Sequence, residues 1–386
     1  MILATTLLTT FLVWLGFTLI FTGIGSLFRR LWGMPQHATL DWLIDFWVGW
    51  SLSVAMLQIW HLFYRVNGYT LVVLALLAMF GFRGIVGRLR TGITSRFSLR
   101  HLAITVTTGA FAMLIANTAM QAFVGNDFAL YHQQMVQWIN AYPIVPGLAN
   151  LHGRFGFNNS FFLYVALTNA TPLGQIGTHI AGSLLVFQLL LVAIHCIYQM
   201  LWKKSTASWV FAGTFLLVLI SYMIVTFHTS TPTNDLPAIA LGLMIGVLVL
   251  RFFDAQTSTA QRKYTVVIVV VLALAGIVSK LSFVGLGAAA AVLVYSAYLW
   301  QQRRLCVRLT AWLVVITVLF PGTWLGRGIL LSGYPVYPRT VGAFGAEWQV
   351  SCPDVREEAF GVYLFSHYAL DGDGNVITSG WGWLPR

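Results

Sequence analysis

The amino-acid sequence predicts an all-α, polytopic membrane protein of about ten transmembrane helices, and three observations carry that expectation. Hydrophobic residues fill 58% of the 386 positions and charged residues only 9%, with a mean hydropathy of +0.78; a water-soluble fold of this length would need far more charge to cover its surface. Apolar runs recur at close to the roughly 20 residues that a helix needs to cross a hydrocarbon core of about 30 Å. Lysines and arginines divide unevenly between alternate connections, as they do where cytoplasmic loops retain positive charge. In lipid every backbone polar group has to be paired within the chain, so spans built from such runs are helices.

Taken in order, the first run, 3–27, lacks a small-residue cleavage site and is too long for a removable signal, so it reads as a retained helix. Runs at 40–62, 69–87 and 102–124 follow it and complete an amino-terminal membrane block, 1–124. Residues 125–158 are an outer polar loop. A transmembrane core, 159–330, carries runs at 175–201, 207–227, 235–253, 264–279, 283–300 and 309–330, and an outer polar tail occupies 331–386. The short run Phe157 to Ala170 fits either a re-entrant half-helix or the start of a broken span, with Pro172 as its stop.

Charge counting orients the bundle. Fifteen lysines and arginines, among them Arg29, Arg30, the Arg83 to Arg100 cluster, Lys203, Arg251, Arg262 and Arg303, fall on one side, and seven fall on the other. The side with fewer, which holds the polar loop, the His228 to Asp235 segment, the Ser279 to Ser282 break and the tail, is the outer one. The formal charge of +11 sits in short loops beside anionic lipid, and no basic, aromatic-interleaved groove points to nucleic acid. Three dispersed cysteines imply neither a disulfide framework nor a metal site.

Chemistry concentrates in the polar loop. Tyr131 to Tyr142 place Met135, Trp138 and Ile139 at helical spacing, which predicts an interfacial helix along the outer leaflet. Pro143 and Pro146 end it, and the Gly- and Asn-rich stretch that follows reads as an ordered loop over a cavity. Asp127 fits the N-cap of that helix as well as it fits a catalytic carboxylate. Asp235 opens a span and fits a cap too, as do Thr233 and Asn234. Lys280 sits in a break between apolar runs, where it either snorkels to the interface or contacts phosphate. Arg327 with Tyr334 and Tyr337 fits an interfacial belt as well as a site lining. Asp41 and Asp45, four apart at the cytoplasmic end of a span, read as structural, a proton relay being the transporter alternative. GIGS and GLGAAAA are helix-packing surfaces. DGDGN at 371–375 reads as a plain turn, since a calcium loop's distal glutamate is missing.

GNDFALYHQQMVQWINAYPIVPGLANLHGRFGFNNSFF, TPTNDLP and LLSGYPVYP, in this order, resemble the signature of an uncharacterised family of bacterial polytopic membrane proteins. That family is similar in layout to membrane glycosyltransferases of the GT-C class. The resemblance implies a GT-C-like fold in the bacterial inner membrane, with the active loop facing outward. It implies transfer of a sugar from a polyprenyl-phosphate donor to an envelope glycan, lipid or protein acceptor. Asp127 falls where that class carries its loop carboxylate, and it lacks the neighbouring acid that would help to bridge a divalent metal, so no cofactor is expected. Substrate contacts are expected from Tyr131, His132, His152, Arg154, Asn158, His228, Asp235, Lys280, Arg327, Tyr334 and Tyr337, with His132 the most structural in character. Arginine offers a fork to phosphate oxygens, lysine a point charge, and protonated histidine a donor. Relatives of this kind continue with further helices after the SGYPVYP-like run, so this copy reads as short. A transporter or flippase of lipid-linked glycans, which would show inverted repeats, and a noncatalytic envelope-assembly protein are the alternatives.

Overall fold

The computed structural model describes residues 2–34, 39–82, 99–123, 127–171, 176–203, 213, 216–222, 229–255 and 257–366, and these are helical or turn-forming with no strand among them. The helices are α1 (Ile2–Leu31), α2 (Thr39–Phe63), α3 (Gly68–Phe82), α4 (Leu99–Ala119), α5 (Gln133–Ala141), α6 (Phe161–Asn169), α7 (Ile176–Lys203), α8 (Asp235–Phe253), α9 (Thr259–Ser279), α10 (Val284–Gln302), α11 (Val307–Ser332) and α12 (Cys352–Ser366). Eight are long and apolar enough to cross a membrane: α1, α2, α4, α7, α8, α9, α11, and the stretch Leu281–Gln302 that contains α10. Their positions follow the apolar runs closely. Of the two other expected spans, 69–87 is represented by the 15-residue α3, and most of 207–227 lies outside the described residues.

The chain divides into two compact units, Met1–Pro143 with Asn159–Pro321, and Ile144–Asn158 with Gly322–Arg386. The polar loop therefore does not stay together: its helix belongs to the first unit and its Gly-rich stretch to the second.

In the first unit α1, α2 and α3 approach to backbone contact. A side chain at Gly25 would strike the Asp45 carbonyl, one at Gly49 the Phe21 carbonyl, and one at Gly81 the Gly23 carbonyl. The small-residue surface expected of GIGS is this one, and close approach of helix backbones is what such residues permit in lipid. The short run after Phe157 becomes α6, whose residues Phe161 to Thr168 are all buried. Aromatic contacts lock it to its neighbours: Tyr164 meets Trp50 edge-on at 5.6 Å, and its hydroxyl donates to the Ala181 carbonyl at 3.0 Å. A capping box between Ser258 and Gln261 starts α9. At its other end Lys280 leaves the helix with extended backbone before the single turn Leu281–Phe283, so the expected break is real.

In the second unit the strap Ile144–Asn158, the loop after α11 and α12 share a small core of Ala149, Tyr334, Tyr337, Val350 and Val355, with Phe157 packed against it. The Gly147 amide donates to the Leu330 carbonyl at 2.8 Å, and Asn150 Nδ2 to the Trp348 carbonyl at 2.8 Å. The two sequence runs HGRFGFN and SGYPVYP, far apart in the chain, fold as one body.

Candidate functional site

In the first unit Asp127 is exposed and stands at the start of a wide turn, Phe128–His132, that leads into α5. It does not cap that helix. Its own backbone is already helical, at φ −62° and ψ −29°, and its carboxylate makes no capping hydrogen bond, because the chain enters through the wide turn and not through an extended cap residue. Tyr131 and His132 are buried, packed edge-on at 4.3 Å, and both rings lie against Phe162 of α6. The helix expected in this loop is present as α5, shorter than Tyr131 to Tyr142, and it buries Met135, Val136 and Ile139 with Trp138 only half-buried. Asn140 Nδ2 donates to the Val66 and Ala166 carbonyls, each at 2.8 Å, and so ties α5 to the core.

Also in the first unit, two candidates 45 residues apart in sequence meet: Lys280 Nζ forms an ion pair with Asp235 Oδ1. Both side chains keep partial exposure, 29% and 47%. Thr233, not Asp235, serves the start of α8, since its hydroxyl accepts from the Asp235 amide at 3.3 Å and donates to the Asp235 carboxylate at 3.2 Å. Burial pushes the Lys280 ammonium below the usual lysine range. His228 lies outside the described residues.

A further cluster of the first unit joins charges that the sequence left unpaired. Arg29 Nε donates to Asp45 Oδ1 at 2.7 Å and one of its terminal nitrogens lies 3.7 Å from Asp41 Oδ1, while Arg251 reaches the same Asp41 oxygen at 3.4 Å. Three helices, α1, α2 and α8, are braced by it, and Arg29, Asp41 and Asp45 are buried.

In the second unit Arg327 is 1% exposed, not at the surface. Its Nε donates to Asn158 Oδ1 at 3.3 Å, Asn158 Nδ2 donates to the Trp324 carbonyl at 2.5 Å, and Trp324 Nε1 returns a bond to the Asn158 carbonyl at 2.8 Å. Asn158 adopts the left-handed conformation, φ 51°, that Asn tolerates better than most residues. His152 Nδ1 accepts from the Arg154 amide at 3.2 Å and so caps the turn Gly153–Phe157. Tyr334 is a core residue: it is fully buried, donates to the Val350 carbonyl at 3.0 Å and accepts from Gln349 at 3.1 Å.

Arg154 and Tyr337 come together with a residue that the sequence reading passed over, Glu358 of α12. Arg154 Nε lies 3.9 Å from Glu358 Oε1. A side chain at Gly153 would come within 2.6 Å of Glu358 Oε2 and 3.0 Å of the Tyr337 hydroxyl. Burial, reinforced by Glu358, Asp354 and Tyr334, holds the Tyr337 phenol protonated well above the usual tyrosine range. The signal was available: Ser351 followed by Asp354 is a helix start, and the Asp354 amide donates to Ser351 Oγ at 3.3 Å. Among the described residues no three His, Cys, Asp or Glu side chains gather as a metal-holding set.

Fold and composition define a multi-pass helical membrane protein. The chain belongs to the family described as a domain of unknown function, DUF8201, whose family model matches residues 7–384. No curated protein and no solved structure matches it.

Proposed function

We propose that this protein is a GT-C-type glycosyltransferase of the bacterial inner membrane, moving a sugar from a polyprenyl-phosphate donor to a cell-envelope acceptor on the outer face. Asp127 acts as the base: its carboxylate takes the proton from an acceptor hydroxyl as that oxygen attacks the anomeric carbon. The bond between that carbon and the phosphate oxygen breaks, and polyprenyl phosphate leaves. Lys280 supplies positive charge to the leaving phosphate, which has to compete with Asp235 for it. Arg154, Glu358 and Tyr337 are the second unit's candidates for substrate contact.

One observation carries the reading. Two of the runs that resemble the glycosyltransferase-like family each supply one member of an ion pair, Asp235 with Lys280 at the start of α8 and Arg154 with Glu358. The test is sugar transfer in membranes supplied with labelled polyprenyl-phosphate sugars, comparing the wild type with Asp127→Asn. Loss of transfer with normal insertion is the expected result, and transfer at the wild-type rate removes Asp127 from the chemistry. A transporter is the second reading, favoured by the buried charges Arg29, Asp41 and Asp45, with the half-buried Arg251 beside them, within or beside the spans. No transfer by either protein, with substrate flux into proteoliposomes, selects it; neither transfer nor flux selects an assembly role.

A further inference from the structure

We infer that one face of α2 lines a buried lane of bound water through the first unit. Trp47, Ser51, Val54 and Gln58 follow one another at four, three and four residues, the spacing of a single helical face. Trp47, Trp50, Ser51, Val54 and Gln58 are each 0% exposed. Even so, Trp47 Nε1, Trp50 Nε1, Ser51 Oγ and both amide atoms of Gln58 meet no hydrogen-bond partner among the described residues.

That face is not the one turned to α1. Gly49 marks the α1 side, where any side chain would strike the Phe21 carbonyl, and at about 100° per residue Trp47, Ser51 and Gln58 lie roughly opposite it. Trp50, beside them, meets Tyr164 of α6. One turn before Tyr164 stands Ser160, whose amide donates to the Val278 carbonyl at 3.0 Å and so sets it beside Ser279 at the end of α9. The hydroxyls of Ser160 and Ser279 are buried and likewise meet no partner among the described residues. Helix α2, the cap residue before α6 and the end of α9 thus all contribute unsatisfied polar atoms to the interior of the unit.

Such groups are strongly disfavoured in an apolar interior unless something completes them, and in a membrane bundle lipid cannot. Their chemistry selects the occupant. All are neutral; the indoles donate, while the hydroxyls and the amide both donate and accept. Close packing admits a ligand of one or a few atoms. Water meets each requirement, taking two to four hydrogen bonds per molecule. At the amino-terminal end of α2, Arg29, Asp41, Arg251, Gln261, Tyr264 and Thr265 line a cavity of about 20 Å³, enough for one water molecule. From Asp41 to Gln58 the helix rises about 25 Å, most of the hydrocarbon thickness.

The test is hydroxyl-radical footprinting by radiolysis of the full-length protein in nanodiscs, which oxidises side chains next to bound water. Trp14 is the dry reference, since it is 1% exposed and its Nε1 is bonded to Ser183. Trp47 and Trp50 are expected to oxidise at least fivefold faster than Trp14. Gln58→Leu, which removes both amide atoms, is expected to halve that rate or more at Trp47 or Trp50 while leaving Trp14 unchanged. Oxidation of Trp47 and Trp50 at the Trp14 rate overturns the proposal, and oxidation that is fast but indifferent to Gln58→Leu overturns the assignment of the lane to this face of α2.

Discussion

Replacing Asn158 tests how the second unit is held to its buried arginine. Asn158→Ala removes the bond to the Trp324 carbonyl and the acceptor for Arg327 Nε while leaving the backbone left-handed. Loss of the neutral bond costs about 1 kcal/mol, and loss of the bond to the charged guanidinium about 1.5–3 kcal/mol. Alanine in the left-handed region adds about 1 kcal/mol more. The sum is about 3.5–5 kcal/mol, a large fraction of the stability of a typical domain. Asn158→Gly loses the same two bonds but adopts the conformation freely, so it should be the milder change by about 1 kcal/mol. Equilibrium unfolding in mixed micelles, followed by the fluorescence of Trp324 and Trp348, measures both variants. An Asn158→Ala loss below about 1 kcal/mol would refute the argument, because it would mean that the buried guanidinium does not depend on this amide.

Three further outcomes are expected. Arg29→Met removes the guanidinium bonded to the buried Asp45 and should cost up to about 3–5 kcal/mol, whereas the double change with Asp45→Leu should recover much of that loss in the same unfolding assay. Gly153→Ala would place its new methyl 2.6 Å from Glu358 Oε2, the far end of a side chain that can swing aside, so the melting temperature should fall only slightly, by the equivalent of less than about 1 kcal/mol, with Glu358→Ala relieving it. Tyr337 holds its proton above the ordinary tyrosine value of 10.0; a proton held more tightly folded than unfolded contributes stability that is full below that value and is lost as pH rises past it. Tyr337→Phe should therefore flatten the alkaline fall in melting temperature while leaving the neutral value little changed.

The spans were legible because a membrane demands the same thing of every one of them, a continuous apolar window, and that demand is local. The break at Lys280 was legible for the same reason. What the sequence could not supply was partnership across distance. Asp41 and Asp45 share a helical face, which spacing reveals, but their partners Arg29 and Arg251 lie elsewhere in the chain. Arg327 looked like an interfacial cation because its neighbours are aromatic, and only the fold places Asn158 over it. Asp127 looked like a cap because capping is read from residue type, whereas the wide turn that displaces the cap is a property of backbone conformation. Glu358 was hidden by the polar composition of its surroundings, although its helix announced itself through Ser351 and Asp354.

The pairing of Arg29 with Asp45 also bears on how the chain enters its membrane. The two residues are separated by only 16 positions, so the first helical hairpin carries both charges and can neutralise them as soon as it forms. Gly25 and Gly49 let the two backbones close on each other in that same hairpin. Arg251 reaches Asp41 across 210 positions and can arrive only much later in synthesis. The first hairpin therefore holds within itself the partner of its most buried carboxylate, and the distant arginine ties α8 onto that same pair of helices.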